Sequence, residues 1–189
     1  MTPSVSTAVR VESPATRANL SLGPRIEVAT AIGVGRTQIS SFDHALWRCG
    51  IHNYNLIPLS SVVPPGAEVV VMDRCDRPDG EWGQRLYVVM AASRSASPGV
   101  VVAAGLGWAQ WGDGRGVFVE HHAEYPDGSP EEIEAEMDCH LITALRDLCA
   151  IRQIAGERVE IQRRIATARV GVEATTALAV AVYQAEGWR

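Results

Sequence analysis

Residues 56–66 read LIPLSSVVPPG, in which two adjacent serines lie between a hydrophobic strand and a double proline. Proline fixes its own φ and pushes the preceding residue into an extended conformation, so the Val-Val-Pro-Pro exit is rigid. The hydroxyl of Ser61 lies next to the Ser60 carbonyl, and a strained serine peptide of this kind can cleave itself.

Self-cleavage at this pair converts Ser61 into a ketone. The Ser61 hydroxyl attacks the Ser60 carbonyl, and the amide becomes an ester through an oxyanion that nearby donors must stabilise. β-Elimination then frees the Ser60 carboxylate and leaves dehydroalanine, which hydrates and loses ammonia to give a pyruvoyl group. The sequence thus predicts a chain of residues 1–60 and a chain of residues 61–189 that begins with the pyruvoyl group.

Several stretches around the serine pair follow the order and spacing of a known family. They are residues 41–46 (SFDHAL), 49–51 (CGI), 53–57 (NYNLI), 60–61 (SS), 64–65 (PP) and 116–120 (GVFVE). On these residues the chain resembles the pyruvoyl-dependent arginine decarboxylases, over roughly residues 25 to 185.

The resemblance implies both an activity and an architecture. The activity is a self-processing conversion of L-arginine to agmatine and carbon dioxide, a reaction of polyamine biosynthesis, through a Schiff base to the pyruvoyl group made from Ser61. The architecture is an α+β fold, a four-layer αββα sandwich, in a homotrimer with active sites at subunit interfaces; a hexamer of paired trimers stays open. The sequence patterns alone predict only a sheet-rich α+β protein.

The resemblance also implies roles for three polar residues. The family residue that matches Glu120 is the proton donor, the one that matches Asp43 binds the substrate guanidinium, and the one that matches Asn55 assists self-cleavage. Each also has an ordinary structural interpretation from sequence alone: a solvent-facing strand-end carboxylate, a first-turn helix acid and a hydrogen-bonded strand amide.

His52 and Tyr54 depart from the small or aliphatic residues of some family members, and both lie close in sequence to the serine pair. We expect them to border the substrate pocket, where they would narrow or polarise it. A pyruvoyl decarboxylase of another amino acid, such as histidine, is therefore an alternative. An uncleaved, non-catalytic homologue is another.

The basic residues, 17 in all, are arginines, and the chain contains no lysine. This composition excludes pyridoxal phosphate held as a lysine Schiff base and a phosphate-binding loop with its required lysine. The net charge of −5 and the scattered arginines argue against a nucleic-acid surface. A small amino acid remains the expected partner.

The cysteines and histidines do not predict a metal site. The four cysteines have no C-x-x-C spacing, and His121 and His122 are adjacent, so on a strand they face opposite sides. Reduced thiols are expected, as in a cytoplasmic protein. Residues 1–22 lack the apolar core of a signal peptide or membrane span and are predicted to be a disordered leader to a single domain over residues 23–189.

Residue patterns predict strands over residues 26–34, 53–59, 67–72, 85–92, 100–107, 117–125, 157–170 and 172–183. The alanine-rich part of the last segment is also compatible with a helix, and the resemblance favours a strand. Residues 108–116 are predicted to form a turn near which Trp82, Trp108 and Trp111 cluster.

Two helices are predicted. The first is capped by Ser40 or Ser41, holds Asp43 in its first turn and closes at Gly50. The second begins after a serine cap at position 129, with proline at its first position, and runs to about Ala155.

Overall fold

The computed structural model describes residues 23–75, 82–153 and 159–187. Over these residues the chain forms, in order, β1 (Arg25–Gly35), α1 (Gln38–Cys49), β2 (Asn55–Pro58), β3 (Val62–Val63), β4 (Glu68–Val71), β5 (Arg85–Ser95), β6 (Val101–Trp111), β7 (Gly116–Tyr125), α2 (Pro130–Ile151), β8 (Val159–Arg169) and β9 (Ala174–Glu186). The predicted leader, residues 1–22, lies outside the described residues. Neither helix in the described part of the chain has the length and apolar character needed to cross a membrane.

The strands form two sheets. The first has the order β2-β5-β9-β1-β4, and the second has the order β3-β7-β6-β8. Strand β9 lies at the centre of the first sheet, where it pairs antiparallel with both β1 and β5. The protein is thus an α+β protein with two sheets and two helices, which confirms the predicted class at that level.

Apolar side chains connect the sheets and helices in separate clusters. One cluster contains residues of both sheets, including Ala179 of β9 and Phe118 of β7. A second connects the first sheet, at Leu178, to α1, at Leu46. Two smaller clusters involve the second sheet, and Leu145 of α2 belongs to one of them. Neighbouring residues of β9 therefore face different partners, which is the period-two pattern of a strand buried on both faces.

Helix α1 begins earlier than predicted. Its N-cap is Thr37, whose side chain accepts a hydrogen bond from the Ser40 backbone, and Ser40 completes a capping box. The prediction of Ser40 or Ser41 as the cap was wrong, because Ser41 is buried and its hydroxyl hydrogen-bonds that of Thr176 at 2.7 Å. Asp43 consequently lies beyond the first turn. Gly50 closes the helix with a φ of 81°, as predicted.

Strand β6 continues to Trp111, four residues into the segment predicted as a turn, and the turn itself is confined to residues 112–115. Trp108 is 1% exposed and lies in the cluster between the sheets, and Trp111 is also buried, whereas Trp82 is 85% exposed. The predicted tryptophan cluster was therefore wrong. Gly114 lies in that turn with a φ of 86°, whereas Gly107 lies within β6, where an added Cβ would lie 3.0 Å from Leu145 of α2, so that glycine allows close helix packing.

Helix α2 begins as predicted and ends sooner. Ser129 caps it in a capping box with Glu132, and Pro130 occupies the first turn. The helix ends at Ile151, and the predicted end near Ala155 lies outside the described residues. The tail forms two strands, β8 and β9, which confirms the strand interpretation of that region.

Candidate active site

The serine pair lies where the chain leaves one sheet for the other. Leu59 still belongs to the edge of the first sheet, since its N–H donates to the Val88 carbonyl at 2.8 Å. Val62 already belongs to the second sheet, where it pairs with Val117. Ser60 and Ser61 therefore form the crossing, and both neighbouring segments are anchored by strand pairing.

Ser61 has a backbone conformation that is unusual for serine. Its φ is 65°, in the left-handed region, and among the described non-glycine residues only Gln153 shares a positive φ. A non-glycine residue in this region carries strain of about 1–3 kcal/mol and persists only where its surroundings hold it. The Phe118 N–H is one such contact, because it donates to the Ser61 carbonyl at 2.8 Å.

Glu120 lies directly beside the Ser61 hydroxyl. The Ser61 Oγ donates to Glu120 Oε2 at 2.9 Å and lies 3.1 Å from Oε1. Glu120 follows Phe118 by two residues on β7, so both side chains are on the same side of that strand. The predicted pair thus meets within one protomer, and a carboxylate so placed can accept a proton from the hydroxyl.

Tyr183 is a nearby residue that the sequence interpretation missed. Its hydroxyl donates to the Val62 carbonyl at 3.1 Å, and its ring packs edge-on against Phe118, with centroids 6.2 Å apart. Burial, and then the charge of Glu120, raise the pKa of Tyr183, so its hydroxyl stays protonated and remains a donor. An isolated tyrosine ending an alanine-rich apolar strand was the available sequence signal.

Asn55 is not close to the serine pair within the protomer. It begins β2, and its Nδ2 donates to the Gly83 carbonyl at 2.7 Å. Ser60 follows five residues later, which corresponds to about 16 Å of extended chain. The structure therefore does not bring this amide to the Ser60 carbonyl of the same chain.

The remaining predicted residues lie around α1 and the loop that follows it. Asp43 is exposed on α1, and His52 and Tyr54 are half-buried in the loop before β2. Tyr54 packs against the cluster beneath α1, while His52 Nδ1 is buried with no hydrogen-bond partner in the described part of the chain. We call Asp43, His52, Tyr54 and Asn55 the α1 group, and Ser61 with Glu120 the serine group.

The serine group faces an open surface. Glu120 is exposed and Ser61 is partly exposed. A cavity of about 470 Å³ borders the next residues of the chain, Val62 and Val63, and is also lined by Trp111. Ser61 and Glu120 do not line it, so that cavity does not enclose the reacting atoms.

The histidines and cysteines do not converge on this site. His121 stacks on His140 of α2 with ring centroids 5.1 Å apart, and burial, followed by the charges of His140 and His122, lowers the pKa of His121. The described residues include no group of three or more histidine, cysteine or acidic side chains placed to bind a metal. Cys49 is buried, and burial raises its pKa to about 12, so it remains a thiol.

Comparison with known proteins defines the class. Residues 25–187 match the family model for pyruvoyl-dependent arginine decarboxylase. The protein named pyruvoyl-dependent arginine decarboxylase from Halobacterium salinarum is 36% identical over 161 residues, which cover 85% of this chain and 94% of that protein. Its namesake from Thermococcus kodakarensis is 31% identical over 158 residues, covering 84% and 92% of the two chains. The protein named pyruvoyl-dependent arginine decarboxylase 2 from Archaeoglobus fulgidus is 37% identical over 109 residues, covering 56% and 69%.

These matches define an enzyme of the decarboxylase class with a pyruvoyl cofactor and a small-molecule substrate. The chain belongs to the pyruvoyl-dependent arginine decarboxylase family.

Proposed function

We propose that the chain cleaves itself between Ser60 and Ser61 and then converts L-arginine to agmatine and carbon dioxide. The observation that carries the proposal is the contact of the Ser61 hydroxyl with Glu120, 2.9 Å long, at a serine whose φ is 65°. The relatives named for arginine decarboxylation support the same substrate.

In the uncleaved chain the residues around Ser61 supply the first step. Glu120 accepts the hydroxyl proton as Ser61 Oγ attacks the Ser60 carbonyl, and the amide nitrogen takes a proton as the ester forms. The Ser61 Cα then loses a proton, the Cβ–Oγ bond breaks, and Ser60 leaves with a free carboxylate. Water then adds at the Cα of residue 61 and the nitrogen leaves as ammonia, so that a ketone remains. Strain at Ser61 favours this sequence because cleavage releases it.

After cleavage the same residues face the substrate. The pyruvoyl group would supply a ketone that forms a Schiff base with the substrate α-amine and serves as the electron sink for the loss of carbon dioxide. Glu120 lies beside position 61 and donates a proton to the α-carbon. The Phe118 N–H, which donates to the Ser61 carbonyl at 2.8 Å, would hold the same carbonyl of residue 61 and so orient the group. No lysine is available for pyridoxal phosphate, and no step uses a metal.

We infer that the α1 group completes the site from a neighbouring protomer. Asn55 lies about 16 Å along the chain from Ser60 and hydrogen-bonds the Gly83 carbonyl, so it does not act on the serine group of its own chain in the described geometry. Asp43 is exposed and is therefore accessible to a neighbouring protomer. In a homotrimer, Asp43 of one protomer would bind the guanidinium of a substrate held at Ser61 of the next. His52 and Tyr54 would border that pocket, and Asn55 would stabilise the oxyanion at Ser60.

The apolar clusters that join helices to sheets, and the two sheets to each other, support a four-layer αββα arrangement of the protomer. Leu46 of α1 packs on the first sheet, and Leu145 of α2 packs on the second. Phe118 and Ala179 meet in the cluster shared by both sheets. The order helix, sheet, sheet, helix is the αββα sandwich, in which the serine pair connects the two inner layers. We place this enzyme in the cytoplasm, where its thiols stay reduced.

A mass spectrum and a substrate panel test the proposal. The purified protein should contain two chains, residues 1–60 and 61–189, and the second should resist Edman degradation. Carbon dioxide release should be greatest with arginine, without added pyridoxal phosphate and after dialysis against a chelator. Greater carbon dioxide release with histidine would identify histidine as the substrate. An intact chain that releases no carbon dioxide would identify a non-catalytic homologue.

A trapping experiment locates the cofactor. Sodium cyanoborohydride with arginine should attach the substrate to the chain that begins at residue 61, because reduction fixes the bond to the ketone. The Ser61→Ala protein is the control and should trap nothing. An adduct on residues 1–60, or a requirement for pyridoxal phosphate, would contradict the pyruvoyl mechanism.

A further inference from the structure

Tyr183 occupies a β-bulge at the end of β9. Its neighbours Val182 and Gln184 pair with Val88 and Tyr87 of β5, consecutive residues, so Tyr183 is the extra residue of the bulge. A bulge bends its strand and changes the direction of a side chain, and bulges are frequent beside active sites. Here the bulged residue points into the cluster between the sheets, where it is 9% exposed.

The Tyr183 hydroxyl reaches the segment that carries the strained serine. It donates to the Val62 carbonyl at 3.1 Å, one residue after the Ser61 carbonyl that accepts from Phe118 N–H at 2.8 Å. Two consecutive carbonyls after the scissile bond are therefore fixed. On the other side of that bond, Leu59 N–H donates to the Val88 carbonyl. Ser61 is thus held from both directions in a conformation that serine rarely adopts.

We infer that Tyr183 is a positioning residue for self-cleavage, because its hydrogen bond to the Val62 carbonyl holds Ser61 in the left-handed conformation from which the hydroxyl attacks. The inference rests on the proposed self-cleavage and adds a residue that does not contact the reacting atoms. Without this hydrogen bond, the peptide after Ser61 relaxes toward extended backbone, and the attacking geometry is populated less often.

The role of the Tyr183 hydroxyl can be tested separately from the role of its ring. The Tyr183 ring packs edge-on against Phe118, and Tyr183→Phe keeps that contact while removing only the donor. Tyr125→Phe is a matched control, because Tyr125 is a tyrosine of β7 whose hydroxyl interacts with Glu136 of α2. Both variants lose one hydroxyl from a partly or fully buried tyrosine, and only the first loses a contact with the serine segment.

The experiment follows conversion of newly synthesised full-length chain into two fragments in a cell-free system. Tyr183→Phe should cleave about fivefold to tenfold more slowly than wild type, the factor expected for one hydrogen bond of ordinary net strength. Tyr125→Phe should cleave at the wild-type rate. Hydroxylamine attacks the ester at the Ser60 carbonyl and breaks the bond between that carbonyl and Ser61 Oγ. Because Tyr183→Phe forms this ester less often, cleavage by hydroxylamine should slow by the same factor in that variant. Thermal unfolding is compared in the Ser61→Ala background, where no chain is cut.

The possible outcomes distinguish a failure of this inference from a failure of the proposed self-cleavage. A wild-type chain that stays intact would overturn both. A wild-type chain that cleaves, with Tyr183→Phe cleaving or reacting with hydroxylamine at the same rate, would overturn only the role of Tyr183. Equal slowing in Tyr183→Phe and Tyr125→Phe, with equal loss of thermal stability, would also overturn it, because the effect would then be one of folding.

Discussion

The serine group and the α1 group differ in how completely one protomer assembles them. Ser61 and Glu120 are in direct contact, with Oγ and Oε2 2.9 Å apart, whereas Asp43 is exposed and Asn55 hydrogen-bonds the Gly83 carbonyl away from the serine pair. A chain that cuts its own peptide needs the nucleophile and its carbonyl in one chain. Residues that recognise a diffusing substrate, or that only stabilise the oxyanion, have no such requirement, so a second protomer can supply them.

Ser61→Ala should have the largest effect. Without the hydroxyl no ester forms, and the chain should remain intact and inactive, as measured by mass spectrometry and carbon dioxide release. Ser60→Ala is the matched control at the neighbouring position, and it should cleave at least partially because Ser60 contributes only its carbonyl. If Ser61→Ala still produced the two fragments, the nucleophile would be a different residue.

Glu120→Gln should lower turnover per cleaved chain by about 10²–10⁴-fold, the usual contribution of a general acid, since an amide cannot donate the required proton. Cleavage should slow as well, because the Ser61 hydroxyl loses its carboxylate acceptor. Glu124→Gln is the control, as Glu124 is another exposed glutamate of β7, four residues further along. Near-normal turnover in Glu120→Gln would assign the proton donor elsewhere.

The fold could be predicted where the residue pattern and the burial agree. The capping box at Ser129 and the left-handed Gly50 are local signals, and the structure has both. Residues 108–111 were missed because Gly112 and Gly114 mark a turn that begins only after Trp111, while β6 continues to Trp111 and lies close to Leu145 of α2 at Gly107. That contact joins a strand to a distant helix and leaves no local pattern.

The site could be predicted only in part, for a similar reason. The serine pair and Glu120 are conspicuous in the sequence, and the structure brings them together, although their roles stay predictions. The φ of 65° at Ser61 could not be predicted, because it depends on Phe118 from another strand. Tyr183 was missed because its position depends on a bulge in the pairing of β9 with β5.

Asp43→Asn should leave cleavage intact and weaken arginine binding. The size of the lost binding free energy shows whether a neighbouring protomer buries Asp43. If a neighbouring protomer covers Asp43, removing one member of a buried charge pair costs about 2–5 kcal/mol of binding. If Asp43 stays as exposed as it is in one protomer, the loss is about 0–1 kcal/mol. The measurement is the KM for arginine. Asp147→Asn, an exposed aspartate of α2, is the control and should leave it unchanged.

Coexpression of the inactive Ser61→Ala chain with the weakly binding Asp43→Asn chain should have the smallest effect, and it tests most directly whether the two groups come from different protomers. When Ser61→Ala and Asp43→Asn chains mix at random in a trimer with shared sites, about one quarter of the sites combine two unmutated groups, so about a quarter of wild-type activity should return at arginine concentrations well below the KM of the Asp43→Asn enzyme. The control pairs Ser61→Ala with Glu120→Gln. Since Ser61 and Glu120 meet within one chain, no such site forms there and activity should stay at the level of the Glu120→Gln chains. Recovery in neither mixture would place the α1 group and the serine group in the same protomer's site, and recovery in both would contradict the contact between Ser61 and Glu120 as the catalytic one.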